Sequence, residues 1–241
     1  MITVDFNRLC NYDPGCFAGY RILDIGCGSG RHTSAAYQFE EVSVIGADIN
    51  LDDVIETKNR LKYHDKLGEH GGGLWETLVT DITYLPFRNN FFDLVICSEV
   101  LEHIHDVKTA VLEIIRVLKP GKNLVVSVPR YLPERICWAF SEEYHITSKG
   151  HIRIFKKKEL ISLLEDAGLK EWAFHFAHSL HTPYWWLKCL VGPTQDNSVV
   201  VNLYHRFLVW DIMKRPRIIR LLDKLLNPLM GKSIVLYFQK L

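Results

Sequence analysis

The sequence predicts an α/β fold: a Rossmann-like, mostly parallel sheet of seven strands, with a helical insertion before the last one. Three observations carry that prediction. Short apolar runs alternate with segments of helical period through most of the chain, as a sheet covered by helices requires. The first run ends in Asp24-Ile25-Gly26-Cys27-Gly28-Ser29-Gly30, where glycines permit a sharp turn and leave bare N–H groups at a helix start open to a ligand. The second run ends at Asp48, about where an acid would reach ribose hydroxyls. A nucleoside-type cofactor site at the sheet edge follows.

Taken in order, strands are expected at residues 20–25, 42–47, 76–79, 93–97 and 123–128, each a short apolar run bounded by turn formers. Helical period fills 31–39, 51–66 and 107–118. Gly71-Gly72-Gly73 separates the second helix from the third strand, and Lys119-Pro120-Gly121 stops the helix before the fifth strand. An amphipathic helix at 156–167 ends at Gly168, a sixth strand follows at 169–176, and a seventh, β-branched and alternating, at 233–240. Residues 179–232 are too long for a hairpin and too apolar for a free loop. They are expected to pack on the domain, with helices near 203–213 and 217–225. All 241 residues read as one domain.

Composition narrows the partners. Net charge is +1, so no global field draws the chain to nucleic acid. No apolar run is long enough to span a bilayer, and the amino terminus lacks a signal-peptide core. Arg206, Lys214, Arg215, Arg217, Arg220 and Lys224 read as a solvated helix face, with peripheral contact to an acidic or membrane surface as the alternative. The six cysteines contain no C-x-x-C pair, so neither zinc nor a disulfide is expected and a reducing cytoplasm is the expected setting.

Spacing selects the cofactor. The dinucleotide fingerprint is G-x-G-x-x-G, whereas here Arg31 stands where its last glycine would be. Asp24, two residues before the first glycine, would repel a pyrophosphate but suits an ammonium and a sulfonium. In this acid-x-G-x-G-x-G stretch the chain resembles the class I S-adenosylmethionine-dependent methyltransferases, of the small-molecule kind that includes quinone-biosynthesis enzymes. The resemblance covers roughly residues 20–176 and the last strand, and implies a sheet whose last strand is antiparallel. It implies S-adenosylmethionine as cofactor, held by Asp24, Gly26, Cys27, Gly28, Gly30, Asp48 and Ile49. It further implies that Asp81 accepts from the adenine amino group, that Ile82 covers the ring and that Ser98 lies against the cofactor.

Methyl transfer needs alignment and, for some acceptors, a base. Ser98-Glu99-Val100-Leu101-Glu102-His103-Ile104 resembles the matching segment of small-molecule methyltransferases and is not the Asn/Asp-Pro-Pro-Tyr motif of amino-group enzymes. His103 is a candidate base. The plainer reading is a carboxylate at a helix start with a histidine packed beside it. Residues 129–155 are dense in aromatic and polar groups, as a small-molecule pocket needs. His145 is a second catalytic candidate there, and Arg130, Tyr144 and His151 are candidate acceptor contacts. Trp185 and Trp186 are candidate contacts on a lid over the acceptor, with core anchoring as the alternative. Glu142, His145 and His151 match no metal spacing, so no metal is expected. The expected activity is O- or C-methylation of a small, aromatic or apolar metabolite. The alternatives are a catalytically silent S-adenosylmethionine-binding protein and a nicotinamide oxidoreductase, the latter disfavoured by Asp24 and Arg31.

Overall fold

The computed structural model describes residues 2–10, 15–146, 151–192, 198–214 and 216–241, with the side chains of residues 145 and 146 outside that description. Strands β1 (Arg21–Ile25), β2 (Ser43–Asp48), β3 (Leu74–Val79), β4 (Phe92–Ser98), β5 (Leu118–Pro129), β6 (Leu169–Ala177) and β7 (Ser233–Lys240) form one sheet. Its order is β3-β2-β1-β4-β5-β7-β6. The ladders from β3 to β5 are parallel, and β7 runs antiparallel to both β5 and β6. The helices are α1 (Phe6–Leu9), α2 (Arg31–Tyr37), α3 (Leu51–Leu67), α4 (Val107–Val117), α5 (Tyr131–Phe140), α6 (Glu142–Ile146), α7 (Lys157–Glu165), α8 (His181–Val191), α9 (Val199–Lys214) and α10 (Arg217–Met230).

Strands β1 and β4 are apolar on both faces because both faces are covered. Leu23, Ile25, Val95, Leu124 and Phe238 pack on one side against α4 and α7. Ile22, Val44, Leu94, Val125 and Tyr237 pack on the other against Phe6, Phe17, Tyr37 and Leu61. Helix α4 presents Val107, Ala110, Val111, Ile114 and Val117 to the sheet, a stripe of period 3.6. Asp106 caps it by accepting from the Thr109 N–H at 3.1 Å. Asp93, at the amino end of β4, accepts from Lys119 Nζ at 2.8 and 2.7 Å and is a structural ion-pair partner.

The structure departs from the sequence-based expectations in several places, the short helices α1 and α6 among them. Lys119-Pro120-Gly121 does not separate α4 from a later strand. Helix α4 ends at Val117, β5 starts at Leu118, and the tripeptide is absorbed in a register shift between the Phe92↔Leu118 and Leu94↔Asn123 pairs. Helices α5 and α8 were not anticipated: proline in the first turn of each masks a helix that tolerates it there. Cys10 and Cys16 are disulfide-bonded, with Cα atoms 5.5 Å apart, against the expectation of none; a C-x5-C spacing carries no redox signature. Cys27, Cys97, Cys137 and Cys189 are free and buried. With α8, the described residues of the insertion hold three helices rather than two.

That insertion is tied to itself. The Ser179 hydroxyl donates to Asp223 Oδ1 at 2.7 Å and the Ser179 N–H to Asn227 Oδ1 at 3.0 Å. The Thr182 hydroxyl donates to the Met230 carbonyl at 2.6 Å, and Arg220 pairs with buried Asp211. The Ser179 and Thr182 bonds join the start of α8 to α10, next to the point where β7 begins, and the Arg220 pair joins α10 to α9. No described helix is long and apolar enough to cross a membrane.

Candidate active site

Strand order reverses between β1 and β4, and ligands of open α/β sheets collect at the strand ends there. A cavity of about 340 Å³ opens at this point. Its wall takes Gly26, Cys27 and Gly28 from the β1–α2 turn, Asp48 and Ile49 from the end of β2, Asp81 and Ile82 from beyond β3, and Ser98 and Glu99 from the end of β4.

The turn after β1 is held by its surroundings. The Gly26 and Cys27 N–H groups both donate to the Ala47 carbonyl, at 2.7 and 3.0 Å. Gly26 has a φ of +72°, and a Cβ there would lie 2.2 Å from a Val100 methyl, so glycine is required. Gly28 has a φ of +50°, but a Cβ there would meet nothing within 4 Å, because its open side is the cavity. The Gly28 N–H donates to Asp48 Oδ2 at 2.9 Å, and the Asn50 N–H donates to Oδ1 at 3.0 Å. Asp48 thus fastens the loop, and each oxygen keeps a lone pair for a ligand hydroxyl. Asp81 accepts from the N–H and hydroxyl of Thr83, both at 2.8 Å, through one oxygen.

Asp24 lies beneath this loop, 1% exposed. Oδ2 accepts from the Thr33 hydroxyl at 2.6 Å, while Oδ1 is buried without a hydrogen-bond partner. Burial pushes its pKa up to about 6, against the Thr33 hydrogen bond, which lowers it. An orphaned acceptor under a glycine loop is what a cationic ligand would relieve. On the opposite wall, His32 Nε2 accepts from the Thr3 N–H at 3.1 Å, and burial lowers the pKa of His32 to about 4, leaving it neutral.

The far side of the cavity runs into a buried polar cluster. Glu99 has a φ of +58°, a strained conformation for a non-glycine residue and one often stored at functional sites. The Ser127 hydroxyl donates to its Oε1 at 3.0 Å, and burial raises its pKa. Glu102, on the short 3-10 turn Leu101–His103, is 1% exposed. Burial, then the charge of Glu99, pushes its carboxyl well above the usual range. Glu134, from α5, is equally buried, but a hydrogen bond with His151 Nδ1 at 2.6 Å and the Lys232 amino group at 3.5 Å outweigh burial and hold its pKa down.

Residues 23–126 match the family described as Methyltransferase domain. The chain is 32% identical to a demethylmenaquinone methyltransferase from Renibacterium salmoninarum, over 52% of this chain and 48% of that one. Its backbone superposes on a methyltransferase from Methanosarcina mazei with a TM-score of 0.58 and 20% identity, covering 92% of each chain. It superposes equally, at 0.58 and 19% identity, on the [4+2]-cyclase SpnF, over 92% of this chain and 76% of that one. Over residues 23–126 the chain is thus similar to a methyltransferase domain of the class I, S-adenosylmethionine-dependent kind. The chain spans about half the length, or less, of most of the curated relatives it matches.

Of the cofactor residues that the sequence suggested, Gly26, Cys27, Gly28, Asp48, Ile49, Asp81, Ile82 and Ser98 line the cavity. Asp24 and Gly30 do not. Gly30 starts α2 with a φ of +75°, and a Cβ there would sit 2.8 Å from Thr57. The acceptor candidates divide differently. His103 lines the cavity, whereas Arg130, Tyr144, His151, Trp185 and Trp186 do not. The Arg130 guanidinium stacks 4.1 Å from the Phe176 ring centre, toward β6. Trp185 packs on Tyr144 with ring centres 5.7 Å apart, and Trp186 Nε1 donates to the Pro133 carbonyl of α5 at 3.2 Å. The side chain of His145 lies outside the described residues. Sequence reasoning missed Thr3, Arg31, His32 and Glu99 as wall residues. Only Glu99 carried a signal, its place beside Ser98; Thr3 reaches the cavity through tertiary packing alone.

Proposed function

We propose that this methyltransferase transfers the methyl group of S-adenosylmethionine to oxygen or carbon of a small, aromatic or apolar metabolite. The carrying observation is the convergence of four strand ends on one cavity, with the Asp48 and Asp81 carboxylates at one side and Ser98, Glu99 and His103 at the other. When bound, the cofactor supplies a sulfonium methyl carbon that accepts the acceptor's electron pair as the C–S pair returns to sulfur. The chain does the rest. Asp48 holds ribose hydroxyls, Asp81 and Ile82 hold the adenine, and the glycine loop approaches the amino-acid part above Asp24. His103 stands where an acceptor proton would leave.

Helices α5 and α8 are joined through the Trp186–Pro133 hydrogen bond, and we assign α8 the role of a lid that excludes water from the acceptor. The acceptor's apolar character draws support from the R. salmoninarum relative, which is named for a quinone. It also fits α10, where Ile218, Leu221, Leu222, Leu225 and Leu229 form an exposed stripe bordered by Arg217 and Lys224. Such a helix suits peripheral contact with an anionic lipid surface from which an apolar acceptor is drawn. Four reduced, buried thiols suit the cytoplasm, and the Cys10–Cys16 bond is the observation against it.

The test is incubation of the purified chain with S-adenosylmethionine and extracted metabolite pools, reading S-adenosylhomocysteine and methylated products by mass spectrometry. Appearance of both supports the reading. Tight cofactor binding with no turnover in any pool makes the chain a silent binding protein instead.

A further inference from the structure

We propose that Glu102, His103 and His151 form a binding site for one divalent transition-metal cation at the acceptor end of the cofactor cavity. One ligand atom from each of the three lies within 4.8 Å of the others. Coordination at about 2.1 Å brings neighbouring ligand atoms to roughly 3–3.5 Å, so an ion needs to draw them in by little more than an ångström. The Ile152 N–H donates to the Glu102 carbonyl at 3.1 Å, which locks the His151 segment beside the 3-10 turn.

Two further observations point to a ligand. Both carboxylate oxygens of Glu102 are buried without a hydrogen-bond partner, and Oε1 lies 4.0 Å from His151 Nε2. A buried acid with two idle oxygens is costly unless something occupies the space between them and the imidazole. His151 is also oriented as a ligand histidine is. Its Nδ1 sits 2.6 Å from Glu134 Oε1, and Glu134 Oε2 is neutralised by Lys232 at 3.5 Å. A carboxylate on one ring nitrogen fixes the tautomer and turns the lone pair of the other toward Glu102.

Two imidazoles and one carboxylate suit Mn²⁺, Co²⁺ or Zn²⁺ better than Ca²⁺, which takes six to eight oxygens. Three protein ligands leave positions open. Because His103 lines the cofactor cavity, an open position faces the place where an acceptor would sit. With its ring lone pair on the ion His103 no longer serves as the base, and the ion takes over that task by lowering the pKa of an adjacent hydroxyl. Resting on the methyltransferase reading, this names the acceptor class: a molecule with a phenolic or enolic hydroxyl, methylated at oxygen.

The experiment titrates Co²⁺ into the full chain after chelator treatment, followed by visible absorption and calorimetry. S-adenosylhomocysteine binding is measured in parallel as a melting shift. One saturable equivalent is expected, with d–d bands, in the native chain. His103→Ala, an exposed position safe for folding, and His151→Ala should weaken it at least tenfold, and Glu134→Gln by about 10- to 100-fold as the outer carboxylate is lost. The S-adenosylhomocysteine shift should persist in His151→Ala and Glu134→Gln, whose positions lie off the cofactor cavity. No Co²⁺ uptake with a normal melting shift overturns the metal site and leaves Glu102 a buried neutral acid. Uptake unchanged in His103→Ala and His151→Ala overturns it as well, because the ion then sits elsewhere. Uptake as expected without any melting shift supports the metal site while overturning the methyltransferase reading.

Discussion

At the scale of single residues, Asp24 and Asp48 answer to different physics although both serve one loop. Asp24 has a folded pKa raised from 3.8 to about 6, because burial penalises its charge. The folded state therefore holds that proton more tightly than the unfolded chain, so its contribution to stability is largest below pH 4 and is lost as pH rises through 6. At pH 7 the penalty is about 3 kcal/mol. Asp24→Asn, which keeps an acceptor for Thr33, should raise the melting temperature at pH 7 and lose that gain toward pH 4. It should at the same time weaken binding of the cationic cofactor. A melting profile against pH, with calorimetry at pH 7, checks both; an unchanged profile would mean that Asp24 is not charged in the free protein. Asp48→Ala removes the tie to Gly28 as well as the ribose acceptor. Cofactor affinity should fall by on the order of 1.5–3 kcal/mol for a lost charge-assisted bond, with little change in unfolding temperature. Unaltered affinity would reassign Asp48 to loop support alone.

At the scale of elements, α8 and α10 carry opposite expectations. Trp186 on α8 is half-buried and bonded to α5. If α8 is a lid, Trp186→Ala reduces acceptor turnover far more than cofactor affinity. If α8 is only packing, stability falls by up to about 3–5 kcal/mol while turnover at low temperature stays normal. Melting, calorimetry and turnover on one variant separate the two. Helix α10 has no buried residue, so Leu221→Glu with Leu225→Glu should leave the fold intact. Sedimentation with vesicles rich in anionic lipid should show binding by the native chain and its loss in the double variant. Equal binding by both would remove α10 from the surface contact.

At the scale of the whole molecule, the cofactor joins the ends of four strands and should stabilise them together. S-adenosylhomocysteine at a hundred times its dissociation constant should add about 2.7 kcal/mol to the unfolding free energy, a melting shift of several degrees. No shift with it, set beside a shift with a nicotinamide cofactor, would remove the cofactor assignment. What the sequence alone determined is the part governed by local chemistry. Apolar period set the strands and most helices, and the glycine spacing with Asp24 and Asp48 set the cofactor class, because a tight turn and a strand-end acid are written within a few neighbouring residues. The tertiary structure decided what depends on distant residues meeting. It hid helices α5 and α8 behind first-turn prolines and joined Cys10 to Cys16. It brought Thr3 beside His32, 29 residues away. It also placed His151 against Glu134 and Glu102, although its spacing to either spells no motif. Periodicity reports which face of an element is buried. It carries no record of which buried polar groups will share a cavity, since that is fixed by strand order and by which distant segments pack beside one another.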